Sequence, residues 1–503
     1  MIITRRSHQV LLSAIQYVAL AFGALSSIFA IDAAHAATLD ARISTQDPRG
    51  FGSGSVPQPI RSQYFLTQAV DTAEHNYPSL RRSYSQVTAR DAGVTLAKTA
   101  YLPSLDVIAQ ETRGTQNVIG GTIFPQVLDA IPIQSGTPSH SSTFKSYWNS
   151  NQAANMSWEI WDFGLRHANV LKARAQRTQS VAKLKLTELD VGAKASEVYL
   201  KAVAAYEMIR ARQAVLKRME AWQVVTKTLV DNGLRPGVDA SRADADVSEA
   251  KISLLEAERE YEVARVDLAE TMGLAGTSIA IVSRPYIVQP QQDFPPLRVD
   301  LKGHPLALLR GSAVQTEAAQ VHVLDRTYYP HIWYHSAIWG RGNGLPNDPR
   351  VVAGGILPQT GNWTVGLSMS FPMFDYWKVK AERRMASRIE ESSRSNYDVA
   401  MQQIIKGDER AKVLLDYAKK IASETPILVK AARDTEMRAV ERYKVGLTDI
   451  VDVAQAERIL ARAEVENAVA DVRVWRALLA LSYAQGNLRP FLQLAAMAEA
   501  KNR

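Results

Sequence analysis

The chain has 503 residues, 46% hydrophobic and 22% charged, a balance that supports a folded core and excludes a disordered polyelectrolyte. The formal net charge is +8, but Lys and Arg are interspersed with Asp and Glu and no basic block carries interleaved aromatics, so nucleic acid is not an expected partner. Cysteine is absent, which excludes disulfides, thiolate metal centres and a lipid-bearing cysteine.

Residues 1–36 read as a secretory signal: Arg5 and Arg6, an apolar segment over 11–31, then Ala34-His35-Ala36 as a small-x-small cleavage site. The apolar segment is long for a signal, so an uncleaved anchor is the alternative. An extended segment is expected over 37–62. Beyond it no run of about 18 apolar residues occurs, so any further membrane crossing must use strands.

A first structural repeat is expected over 63–280. Strands are predicted at about 104–113 and 150–160, where Leu105, Val107 and Ala109, then Ala154, Met156, Trp158 and Ile160, alternate with polar residues. A long helical hairpin follows over about 164–273. Its first arm has apolar residues in steps of four and three (Val198, Ala202, Ala205, Ile209, Leu216, Met219), a coiled-coil seam interrupted by Arg212. About 70 residues of helix would run roughly 100 Å. A stack of shorter helices broken at Gly192, Gly407 and Pro426 is the alternative. Gly233 is expected to end the first arm in the left-handed conformation, with Asp239 or Ser241 capping the return helix.

After a linker at 281–303, a second repeat is expected over 304–488, with a tail at 489–503. Trp161-Asp162-Phe163 and Phe374-Asp375-Tyr376 lie 213 residues apart, as do Gly233-Leu234 and Gly446-Leu447, and Gly273 and Gly486. Three landmarks at one offset indicate an internal duplication. Strands are predicted at about 331–340 and 362–372. The second is the cleanest: Trp363, Val365, Leu367, Met369 and Phe371 form one apolar face against Thr364, Gly366, Ser368 and Ser370. In the first, Trp333, Ala337 and Trp339 are assigned to the apolar face against Tyr334, Ser336 and Ile338. The second hairpin spans about 376–486, turning at Gly446, with Asp449 or Asp452 as the cap.

Segments of about 10 residues have the length of tilted membrane-spanning strands, with Trp residues near their ends. A soluble hairpin in each half, with the Trp residues as core, is the competing interpretation. Four strands cannot close a barrel, so a spanning sheet requires several subunits. The fold class is therefore α+β, duplicated, with long helical hairpins and four strands per subunit.

The two Tyr-x-Pro junctions, Trp161-Asp162-Phe163-Gly164, and both Gly-Leu-x-x-x-Val-Asp turns resemble the TolC-like outer-membrane efflux proteins (outer membrane factors) from about Gln63 to Leu488. The resemblance implies a homotrimer with a 12-stranded barrel in outer-membrane lipid above a periplasmic helical tunnel. It also implies docking to a periplasmic adaptor (membrane-fusion) protein and, through it, to an inner-membrane transporter, for efflux or type I secretion. Tyr443 and Asp452 match positions of the periplasmic gate, Asp452 as a ring of three carboxylates. Gly233, Leu234, Asp239, Gly446 and Leu447 match the tip that meets the adaptor. Thr448 stands where the best-known member has a gate arginine, and Gln455 where it has a second aspartate ring.

No phosphate loop, zinc-protease motif or nucleophile elbow is present, so no catalytic residue, metal or cofactor is expected. His331 and His335, four apart on a strand, would be roughly 13 Å apart and could not share a metal. A periplasmic adaptor, which also carries a helical hairpin, is the rival class.

Overall fold

A computed structural model describes residues 63–115, 143–290, 300–344 and 353–501. The expected signal and extended segment lie outside the described residues, as do 116–142 between the first two strands and parts of the linker and second interstrand loop. The described elements run through one series twice. The first pass is β1 (Gln63–Tyr64), α1 (Leu66–Asn76), α2 (Pro78–Thr99), β2 (Ser104–Thr115), β3 (Ser146–Trp161), α3 (Leu165–Asp231), α4 (Gly237–Thr271) and β4 (Ala280–Ile281). The second is α5 (Pro305–Thr327), β5 (His331–Asn343), β6 (Thr360–Ser370), α6 (Tyr376–Lys444) and α7 (Ile450–Ala484), after which the expected tail forms α8 (Arg489–Ala500).

Helices α3 and α6 have 67 and 69 residues and continue through Gly192, Gly407 and Pro426, which overturns the stack of shorter helices. Gly192 serves close packing instead. A Cβ there would lie 2.9 Å from Leu488 Cδ1, with Val70 also in contact.

The described chain divides into two compact units, each drawing on both repeats: one within Gly93–Ala173 and Ala319–Ala386, the other within 63–92, Arg174–Ala318 and 387–501. The first holds an antiparallel sheet of order β2-β3-β5-β6, so the inner strands of the two repeats pair with each other. Among the described residues β2 and β6 have one free edge each. Opposed residues in antiparallel strands share a face. Trp363, Val365, Leu367 and Met369 oppose Ile338, Ser336, Tyr334 and Ile332, and the same face continues through Ala154, Met156 and Trp158 to Val107 and Leu105. The β5 expectation is thereby corrected. Trp333, Ala337 and Trp339 oppose Ser368, Thr364 and Asn362 and belong to the polar face. β5 carries aromatics on both faces, so alternation alone could not fix its phase. Phe371 lies one residue beyond β6 and packs on Tyr328 at 5.1 Å between ring centroids, another departure from expectation.

The turn from β3 into α3 explains the Trp161-Asp162-Phe163-Gly164 motif. Phe163 and Gly164 both have positive φ, and Asp162 accepts hydrogen bonds from the Gly164 amide and the Arg166 side chain. Burial would raise the Asp162 carboxyl pKa, but these bonds and the Arg166 charge hold it below the usual range.

The second unit has one main core, in which Tyr64, Leu66, Tyr199, Leu200, Met272, Tyr286, Trp475 and Phe491 are fully buried. Within it Glu499 of α8 accepts hydrogen bonds from the Thr67 amide (3.0 Å) and the Tyr286 hydroxyl (2.6 Å). No described helix is long and apolar enough to cross a membrane.

Candidate functional site

The two hairpin turns are built alike. α3 ends with Gly233 at φ 70°, its amide donating to Val230 O while the Leu234 amide donates to Leu229 O. α6 ends with Gly446 at φ 79°, its amide donating to Tyr443 O and the Leu447 amide to Arg442 O. Both are Schellman closures, which need a residue without Cβ strain in the left-handed region. The exits differ. Asp449 caps α7 with its side chain, accepting from the Val451 and Asp452 amides at 3.0 and 3.2 Å. α4 starts after Pro236 with no side-chain cap, so neither Asp239 nor Ser241 plays the expected role.

Asp239 is engaged elsewhere. The fully buried Tyr443, at the end of α6, donates its hydroxyl to Asp239 Oδ2 at 2.8 Å, and Asp239 is itself buried. The Arg235 guanidinium lies 4.1 Å from the Tyr443 ring centroid and donates to the Tyr443 carbonyl, one of the carbonyls that a helix end leaves without an intrahelical partner. Trp222 of α3 packs edge-on at 5.1 Å, and Ile450 and Val453 close the cluster. Burial pushes the Tyr443 phenol up to about 12, and the Asp239 carboxylate adds to the shift. The phenol is therefore a permanent donor at physiological pH.

The other expected gate residue is placed differently. Asp452 is exposed and accepts from the Thr448 hydroxyl, so the structure joins Tyr443 to Asp239 and Asp452 to Thr448. Leu234 and Leu447 are exposed at the turns, 67% and 68%, beside Val238 and Val445. Arg235 and Trp222 were not singled out from sequence. Trp222 does follow Leu216 and Met219 at helical spacing, whereas nothing in the turn motif marks Arg235.

The pattern that defines the outer membrane efflux proteins matches residues 69–274 and 314–487. The chain belongs to the outer membrane efflux protein family. The curated relative protein CyaE of Bordetella pertussis is 23% identical over 320 residues, 62% of this chain, and the match spans 60% of that protein's length. In fold the chain is similar to CusC, described for its transmembrane channel formation, with TM-score 0.71, 15% identity, and 88% of this chain and 96% of that one covered. It is likewise similar to the CmeC outer membrane channel of Campylobacter jejuni, with TM-score 0.70, 14% identity, and 87% and 91% covered. The family is that of outer membrane efflux proteins, and the fold is that of solved outer-membrane channels.

Proposed function

We propose that this outer membrane efflux protein is the passive exit duct of a tripartite efflux or type I secretion system, exported by its 1–36 signal and working as a homotrimer. The observation that carries this is the four-stranded sheet with one apolar face and, among the described residues, two free edges. Three such sheets joined edge to edge would make 12 strands and leave no edge in lipid. Trp363, Val365, Leu367 and Met369 would face the lipid, with Phe371 at the rim. The hairpin turns would form the periplasmic tip, where Leu234 and Leu447, displayed by Gly233 and Gly446, offer apolar contacts to an adaptor that links the duct to an inner-membrane transporter. Tyr443, held by Asp239, would keep the second hairpin against the first in the closed tip, and Asp452 would face the passage. The test is the detergent-extracted protein: a trimer that forms pores in planar bilayers is expected. A monomer without conductance would refute the proposal.

A further inference from the structure

The two hairpins meet through α3 and α7: Arg218 of α3 donates to Glu457 of α7 at 2.8 Å, and Arg476 of α7 donates to Glu197 of α3 at 3.0 Å. Helices α4 and α6 each pack by one stripe, which holds Ala243, Val247 and Ala250 on α4 and Ala411, Ala422 and Ala432 on α6. Each also carries a second stripe that the described residues leave uncovered. From Val238 to Val266 of α4, alternating steps of three and four residues land only on exposed side chains, Ile252 and Leu255 among them. From Leu414 to Arg438 of α6 the same steps again land only on exposed side chains, Tyr417, Ile421 and Leu428 among them. Steps of three and four are the spacing of a coiled-coil seam, and a seam implies a facing helix.

Charge says which helix. α4 has 10 acidic and 4 basic side chains, and α6 has 16 basic and 11 acidic. An α4 stripe therefore repels a second α4 stripe and attracts an α6 stripe.

Height agrees. The bond from the Tyr443 hydroxyl to Asp239 sets those two residues level. α4 leaves the tip as α6 returns to it, each at about 1.5 Å per residue. In copies related by rotation about one axis, Asp244 and Arg438 then lie level at about 8 Å from that bond, Leu255 and Leu428 at about 23 Å, and Arg259 and Glu424 at about 29 Å. Each level pairs acid with base or apolar with apolar. Among the described residues, Arg259, Glu424 and Arg438 have no ion pair within the chain.

We propose that the uncovered stripe of α4 docks on the uncovered stripe of α6 in a second copy of this chain, Leu255 against Leu428 and Arg259 against Glu424. The contact is heterologous: each copy presents one acidic stripe and one basic stripe, so copies add in one rotational sense and close into a ring. This assigns the helix contact of the homotrimer proposed above and rests on that reading for the common axis.

The chain has no cysteine, so an introduced pair supplies the only thiols. Both sites are exposed in the single chain, Leu255 63% and Leu428 43%, so replacing them leaves its fold intact. The Leu255→Cys, Leu428→Cys double variant, oxidised in its membrane and run on a denaturing gel without reductant, should give dimer and trimer bands. Neither single variant should give a trimer band. Adding Arg259→Glu should remove most of the trimer band, and adding Glu424→Arg as well should restore it. A double variant that stays monomeric, or whose cysteines join within one chain, would overturn the pairing, as would bands indifferent to Arg259→Glu. Reaction of Ile252→Cys with a bulky polar maleimide in the assembled trimer would also overturn it, because the stripe would then be open to a different protein. If pores conduct but no copies are linked, the pairing fails and the channel proposal stands. If copies are linked but nothing conducts, the pairing stands and the channel proposal fails.

Discussion

Tyr443→Phe removes one oxygen from the tip and leaves the ring against Trp222 and under Arg235. What is lost is the 2.8 Å bond to Asp239, a buried hydrogen bond to a charged group. Such a bond is worth about 1.5–3 kcal/mol, and the carboxylate left behind has lost its desolvated partner. If opening parts the end of α6 from the start of α4, wild type breaks this bond on opening and the variant does not. The closed state is then weakened by that amount, roughly a 10- to 150-fold shift toward opening. The phenol titrates near 12, so the gap between wild type and variant should hold constant from pH 6 to 9. Open probability in planar bilayers is the measurement, made as a cycle of Tyr443→Phe, Asp239→Ala and the double variant. The double should open little more than either single, because both remove the same contact. Strictly additive effects, or single variants that gate as wild type does, would refute a latch at this bond.

On the sheet, Leu367→Arg should cost roughly 2–4 kcal/mol per subunit near the bilayer midplane and reduce assembled trimer, whereas Ser368→Arg on the opposite face should assemble normally; native gels of extracted protein would show equal loss at both sites if the apolar face were not in lipid. Millimolar divalent or trivalent cations should block the pore from the tip side, and Asp452→Ala should weaken that block, since the exposed carboxylate can gather in a ring of three. Asp239→Ala should raise opening without relieving the block, because its carboxylate is buried against Tyr443; a cation titration showing the opposite pattern would reverse the two assignments. Glu499→Ala should leave the Tyr286 O–H and the Thr67 amide without the acceptor they share, at about 1–3 kcal/mol each, and the melting temperature should fall accordingly.

The elements were legible because their signals are local. A glycine that must take positive φ ends both α3 and α6, and Trp363 to Met369 declare a strand by alternation within one segment. The tip and the α3–α7 contacts were not legible, because their bonds join residues far apart: 204 positions between Asp239 and Tyr443, 239 between Arg218 and Glu457. Periodicity states that a residue faces inward. It does not state what it meets there. Asp239 shows the difference: its place in the first turn of α4 made a cap plausible, and only the neighbouring hairpin turned it into an acceptor for Tyr443. Arg218 and Glu457 read as ordinary charges in helices full of them.

The bond between Thr67 and Glu499 spans 432 positions, and Phe491 and Leu494 complete the core that Tyr64 and Leu66 begin. A core assembled from both margins of the described chain cannot close while the polypeptide is still being made. Until residue 499 is free, Tyr199, Tyr286 and Trp475 lack their final neighbours, and the loop that must be closed is nearly the whole described sequence. Late closure of the core thus postpones rigidity of this unit until α8 has joined α1.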